Sequence, residues 1–386
     1  MLYIKKLIAG LVVLGCAATA IVSCGHSAAT SYLSDFNDTI YAPSEAGGFV
    51  IMGNKSHRSS IINVFNPWQG ADSVVTKLFI SRDGEIAPDG FDGCVIDGDA
   101  RRIVAMSSTD IAMLDAIGAV DRVVGVSGLE YISNPHISAG RDTIGDVGFD
   151  GSVNYELIVS LNPDLVLLYG INGASSMERK LEELGIPYLY IGDYLEESPL
   201  GKAEWMVVLG ELTGLRDKAA DGFIAIRQRY EDVKALIPES IASRPLVMLN
   251  APYGDSWFLP PSGSYMVRLI SDAGGDYVFK RNISGSSVAV DIEEAYMLAS
   301  QADVWLNAGD MAGLQQLSRQ LPKFADIKSV GDGKVFSNDR RRTPSGGNDF
   351  FEGGVVNPDI VLLDLVKILH PGLIPESDLY YYRQLQ

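Results

Sequence analysis

The sequence predicts an α/β protein of two α/β lobes with mainly parallel sheets, joined by one long helix and preceded by a small β-rich extension. Three observations carry that expectation. After Arg101, short apolar strand-like runs alternate with segments of helical periodicity. Between Pro199 and Pro238 the pattern is helical almost throughout. After Arg244 the alternation resumes. With 386 residues, 47% of them apolar, the chain can bury the cores of more than one folding unit.

Residues 1–23 read as a secretory signal peptide, because Lys5 and Lys6 precede LIAGLVVLGCAATAIVS, an apolar run of h-region length. Its end, Ile21-Val22-Ser23-Cys24, resembles a bacterial lipobox, whose Cys is acylated and becomes the mature N-terminus. That makes Cys24 the expected lipidation site and residues 24–40 a tether. Val13-Leu14-Gly15-Cys16 is a second candidate with a shorter apolar run, and an uncleaved anchor is the alternative to both. If Cys16 leaves with the signal and Cys24 carries lipid, Cys94 is the one remaining thiol, and no intramolecular disulfide forms. The formal charge of −18 repels phosphates and sets nucleic acid aside as a partner.

Residues 41–100 hold strand-like runs at Gly48–Met52, Ile61–Phe65 and Val74–Ile80, between the turn clusters Asn66-Pro67, Arg82-Asp83-Gly84 and Pro88-Asp89-Gly90. They predict an antiparallel extension. The first lobe, 101–213, runs RIVAM, STDIAMLDAIG, RVVGVSG, a helix from Asn154, DLVLLYG, SSMERKLEELG and PYLYIG. Over 215–238, Ala219, Phe223, Ile226, Tyr230 and Val233 recur at helical spacing, which predicts the connecting helix. The second lobe, 244–386, runs PLVMLN, SYMVRLISDAGG, AVDIEEAYMLAS, DVWLNAG, a helix near Leu314–Ser318, KVFS and PDIVLLDLVKILHPG.

Two segments look like copies of one device: NYELIVSLNPDLVLLY from Asn154 and VDIEEAYMLASQADVWL from Val290. Ile158, Val159 and Leu161 follow Glu156 at the offsets by which Ala295, Tyr296 and Leu298 follow Glu293, so the match selects Glu293 over Glu294. The copies differ beyond the helix, where Asp164 and Asp303 fall at unequal distances from their Glu. One Glu in a first helical turn is ordinary helix-start chemistry. Two at matched places in two lobes also suit docking onto basic sockets of a two-fold symmetric partner.

The stretches AMSSTDIAMLDAIGAVDRVVGVSG (105–128) and GDVGFDGSVNYELIVSLNPDLVLL (145–168) resemble the first lobe of the periplasmic substrate-binding proteins that deliver ferric siderophores, haem or cobalamin to ABC importers. The likeness extends over roughly Arg101 to His370 and leaves the extension outside. It implies two lobes on a rigid helix, a ligand cleft between them, and a permease dimer whose Arg residues pair with Glu156 and Glu293. With the lipobox-like segment, the expected location is a bacterial cell envelope, as a periplasm-facing lipoprotein anchored at Cys24. Its ligand would be an iron complex, a ferric siderophore or haem, with cobalamin as the alternative. A surface lipoprotein or a hydrolase are the other readings.

In such an arrangement the loops after the strands line the gap. The ligand-binding candidates there are Ser108, Thr109, Tyr131, Tyr169, Tyr253 and Trp257, with Ser107, Asn172 and Asn250 beside them. Trp257, in a Pro- and Gly-rich loop, is equally readable as an aromatic covering the core. Arg340, Arg341 and Arg342 form a basic triplet that fits a clamp on anionic groups, or a solvated loop paired with Asp349 and Glu352. His26, His57, His136 and His370 lack ligand-like spacing, so no bare-metal site is expected. No GxSxG, HExxH, Walker or GxGxxG motif is present, so no catalytic residue and no resident cofactor is expected.

Overall fold

The computed structural model describes residues 36–386 apart from 172, 239–240, 242 and 376. The signal segment, Cys24 and Asn172 lie outside the described residues.

The extension is one sheet of β1 (Asp38–Tyr41), β2 (Phe49–Gly53), β3 (Ser60–Phe65), β4 (Val75–Ser81) and β5 (Cys94–Asp97), in that order. Phe49 and Ile51 of β2, Ile62 and Val64 of β3, and Leu78 and Ile80 of β4 supply a buried face. The first four strands are antiparallel, as their turn spacing predicts, but β5 runs parallel to β4. Residues 82–93 make the difference: they cross back over the sheet, which a parallel neighbour requires.

Three glutamates of the following lobe hold this sheet. Buried Glu204 accepts the backbone N–H groups of Ser44 (2.8 Å), Glu45 (2.7 Å) and Ala46 (2.8 Å), and the hydroxyl of Tyr41 (2.8 Å). Glu196 accepts from Gly47, Gly48 and the indole of Trp205. Glu211 accepts from Ser60 Oγ and Arg82, whose guanidinium also meets Asp99 at 2.8 Å.

The first lobe contains β6 (Ile103–Ala105), β7 (Val123–Val126), β8 (Gly145–Asp146), β9 (Leu165–Leu168) and β10 (Tyr188–Tyr190), all parallel, in the order β10-β9-β6-β7-β8. The second contains β11 (Leu246–Leu249), β12 (Ser256–Leu259), β13 (Asp276–Tyr277), β14 (Val288–Asp291), β15 (Val304–Leu306), β16 (Val335–Ser337) and β17 (Arg383–Gln384). Its sheet order is β13-β11-β15-β16-β17, parallel except for β17, while β12 and β14 form a separate antiparallel pair. The order β10-β9-β6-β7 therefore matches β16-β15-β11-β13. Asp164 and Asp303 complete the match: the first carboxylate accepts the N–H groups of Arg101 and Arg102 ahead of β6, and the second accepts that of Leu246 opening β11. Their unequal spacing from the helices leaves this role unchanged.

The helix Arg216–Lys234 links the lobes, 19 residues long and about 28 Å by its rise. It packs against both Met206–Leu212 and Pro358–Leu369. Tyr230 donates to Asp272 at 2.9 Å and Arg229 meets Asp359 at 2.7 Å, so polar contacts reinforce its hold on the second lobe.

Truncating Glu204 removes the acceptor of three backbone donors, of which the Ala46 N–H is buried. Glu204→Ala is expected to lower the unfolding free energy by about 3 kcal/mol, with hydrogen exchange speeding up first at 44–46. Unchanged exchange there would mean that the carboxylate does not hold the extension.

Candidate functional site

Because the strands of both sheets are parallel apart from β17, the loops after β6, β7, β9 and β10 gather at one edge and face those after β11, β15 and β16. Between them lie two connected spaces, of about 1120 Å³ and about 590 Å³, that share Ser108, Tyr131, Tyr194, Tyr265 and Phe351. The larger is the more polar of the two, with Asn250, Asn307, Asn338 and Asn348 in its wall. The smaller is mostly apolar, lined by Met106, Ile132, Phe149, Tyr169, Leu269 and Phe350.

The lobes meet directly beside this gap. Ser133 donates its backbone N–H (2.8 Å) and its hydroxyl (2.6 Å) to Glu352, and Ser345 Oγ donates to the Glu130 carbonyl at 2.5 Å. Burial holds the Glu352 carboxyl above its usual range, against the opposing pull of the Ser133 donors. Gly347 lies so close to Tyr131 that a Cβ there would overlap the Tyr131 carbonyl.

The extension supplies a third wall. Gln69 donates its backbone N–H to Tyr194 Oη at 3.1 Å, and its side-chain amide to the Gly285 carbonyl of the second lobe at 3.1 Å. Tyr194 in turn donates to the Gly170 carbonyl, and Trp68 packs edge-on against Tyr190 at 5.4 Å. Gly170 must be Gly, since a Cβ would overlap the Gly173 carbonyl and touch Trp68.

Of the residues singled out from sequence, Ser108, Thr109, Tyr131, Tyr169 and Asn250 line the cleft, and Ser107 lines it while capping the helix Ser108–Ala116. Tyr131 packs on Phe149 at 6.2 Å. Burial, with Asp150 and Asp110 nearby, raises the Tyr169 phenol above its ordinary pKa.

Two aromatic expectations are corrected. Trp257 is 0% exposed, stacked among Trp305 and Phe324 with its indole N–H on the Leu249 carbonyl, so it belongs to the core of the second lobe. Tyr253, in a tight bridge with Ser256, is 82% exposed and lines neither space. The arginine triplet divides. Arg340 pairs with Asp378 at 3.0 Å, and Arg341 pairs with Asp349 at 2.6 Å while lying over the Tyr380 ring. Only Arg342 of the three reaches the cleft. Tyr194, Tyr265 and Phe351 were missed. Tyr194 follows β10 and obeys the strand-end rule already applied to Tyr169, whereas nothing in the local pattern marks Gln69. Among the described residues no group of three or more His, Cys, Asp or Glu is placed to hold a metal.

The periplasmic binding protein family model matches residues 103–341. The chain belongs to that family. An uncharacterized lipoprotein of Methanocaldococcus jannaschii is 28% identical over 337 residues, covering 80% of this chain and 78% of that protein. Among solved structures, a periplasmic haem-binding protein of Pseudomonas aeruginosa superposes with a TM-score of 0.57 at 17% identity, covering 74% of this chain and 98% of that one. A protein of an ABC-type Fe3+-hydroxamate transport system from Saccharomonospora viridis gives 0.53 at 20% identity, covering 71% and 94%. These two likenesses concern the fold.

On this periplasmic binding protein the two glutamates occupy equivalent helix positions. Asn154 caps Tyr155–Leu161 by accepting the Leu157 N–H at 3.0 Å, and Asp291 caps Ile292–Ala299 by accepting the Glu294 N–H at 2.8 Å. Glu156 and Glu293 are then each the second residue of a capped helix, both exposed. At the same offsets Ile158 and Ala295 are buried while Val159 and Tyr296 are exposed. Glu293 holds Lys323 at 3.0 Å with its side chain 70% exposed, and Glu294 turns aside to Arg281.

Beneath the apolar space lies a buried polar cluster. Lys202 Nζ sits 3.5 Å from Asp193 Oδ2 and 5.1 Å above the Tyr265 ring. Burial, with Asp193 second, pushes the Tyr265 phenol up to about 12. Asp110 is fully buried, and neither carboxyl oxygen closes a hydrogen bond among the described residues. Desolvation and then the Asp193 charge raise its pKa well above the ordinary carboxylate range, with the Ser107 backbone pulling the other way.

That shift has a defined sign. The folded state binds the Asp110 proton more tightly than the unfolded chain. The associated stability is complete below an ordinary carboxylate pKa of about 4, and is lost as pH rises through the folded value. Asp110→Asn is therefore expected to raise the melting temperature at neutral pH and to flatten its decline from pH ~4 upward. A variant that melts lower at neutral pH would show that the ionised carboxylate has a partner here.

Proposed function

We propose that this periplasmic binding protein serves an ABC importer, capturing an iron complex between its lobes and handing it to a membrane permease. The observation that carries the reading is a tyrosine-walled cleft between two lobes that each present one capped, exposed glutamate. The two volumes suit a chelate larger than a bare ion. The haem and Fe3+-hydroxamate subjects of the structural relatives support iron complexes as the leading class, with cobalamin as the alternative. Binding and release suffice for this role, so no catalytic residue is assigned. A lipid at Cys24 would hold the protein at the envelope, in keeping with the lipoprotein name of its archaeal relative. Native mass spectrometry of protein recovered from its own envelope should show a diacylglyceryl mass on a chain starting at Cys24, and a bound metal chelate. A different mature terminus would refute the anchor, and a co-purified sugar or peptide would refute the ligand class.

Glu156 and Glu293 are the proposed contacts to basic sockets on a two-fold permease. Exposed ion pairs are worth only about 0–1 kcal/mol each, so exchanging Lys323 for a permease Arg costs Glu293 little. Engaging both sites at once fixes orientation, which one pair alone does not. The Glu156→Ala, Glu293→Ala double variant should bind its chelate as the parent does, while docking to permease vesicles weakens about tenfold or more. Reversal of both charges to Arg should weaken docking further. Normal uptake by the double Ala variant would return these residues to plain helix-start chemistry.

A further inference from the structure

The charges of the cleft, and the hydrogen-bonding capacity it leaves open, point to the kind of chelate it takes. Six carboxylates, Asp193, Glu196, Glu197, Asp310, Asp339 and Glu352, line the two spaces together with two cations, Lys202 and Arg342. Neither cation is free. Lys202 lies on Asp193, and Arg342 Nη1 is 2.6 Å from Asp310 Oδ2. Glu196, Asp339 and Glu352 draw their partners from outside the cavity: the Gly47 and Gly48 N–H groups with Trp205, then Arg383, then Ser133. Glu197 is exposed and has no ion pair among the described residues. A carboxylate or catecholate entering this space meets like charge, and finds both cations already neutralised by a resident acid.

The unspent capacity is of the opposite kind. Asn338 Nδ2 and Ser264 Oγ are buried atoms with no hydrogen-bond partner among the described residues, and both residues line the larger space. One is an amide donor and the other a hydroxyl, so each can pair with a ligand oxygen while carrying no charge to offset an anion. A group that pairs with them removes the penalty of a buried orphan atom. Beside them, the apolar space offers Met106, Phe149, Leu269 and Phe350 to a hydrocarbon or ring face.

We infer that the cleft selects uncharged or cationic chelates whose periphery presents amide or hydroxamate oxygens, over chelates that carry free carboxylates or catecholates. This rests on the chelate-binding reading above and narrows it. The Arg342–Asp310 pair is the point at which the selection can be changed. Both side chains sit at the rim, 38% and 75% exposed, and Asp310→Asn leaves the guanidinium open to a ligand anion.

The test is calorimetric titration of the whole lipoprotein in detergent with four probes: an uncharged ferric tris-hydroxamate, a cobalamin, a ferric tris-catecholate and haem. At least one of the first two should bind about 100-fold more tightly than either of the last two. In Asp310→Asn that ratio should shrink by about fivefold. Tighter binding of the catecholate or of haem overturns the charge inference while chelate binding stands. Binding of none of the four overturns both. An unchanged ratio in Asp310→Asn shows that the resident pair does not exclude anions, and overturns the inference on its own.

Discussion

Parallel strand pairing is the constraint from which the rest of this molecule follows. A parallel sheet puts all its strand ends on one edge, and two such sheets joined by the helix Arg216–Lys234 bring their loop edges face to face. Asp164 and Asp303 act at the opposite edge, where each carboxylate collects backbone N–H groups at the start of a central strand. The cleft is thus where the strand-end loops of both lobes converge.

Acidic residues do three different jobs here, and environment separates them. Glu204 and Glu211 are buried and saturated with donors, so they act as fasteners between the extension and the first lobe. Glu156 and Glu293 sit exposed on capped helices, where the helix dipole favours them and a partner can reach them. Asp310 and Asp193 occupy the two cations that line the cleft. The strongly negative composition is the sum of these roles together with an ordinary solvated surface.

The extension is tied to the cleft wall through a short relay. Glu196 and Glu204 fix residues 44–48, the sheet carries that placement to Trp68 and Gln69, and Gln69 orients Tyr194 while touching Gly285 across the gap. A segment outside the part of the chain that resembles the family therefore helps to shape the cleft.

Sequence alone determined whatever depends on neighbours a few residues apart. The alternating periods announced two α/β lobes and the helix between them, and the residues at equal offsets after each Glu matched Glu156 to Glu293 rather than to Glu294. Strand-end position likewise announced Ser108, Thr109, Tyr131 and Tyr169. Only the tertiary structure decided the fates of Trp257, Arg340 and Arg342, because their partners are remote along the chain, whereas Arg341 takes the nearby Asp349. Trp257 is claimed by Trp305 and Phe324, and Arg340 by Asp378. The parallel course of β5, the reach of Gln69 to Gly285 and the burial of Asp110 beside Asp193 belong to the same group. Local pattern fixes backbone state through short-range sterics and capping. Where a side chain spends its charge or its apolar area depends on which distant segment arrives beside it, and that is set only once the lobes have packed.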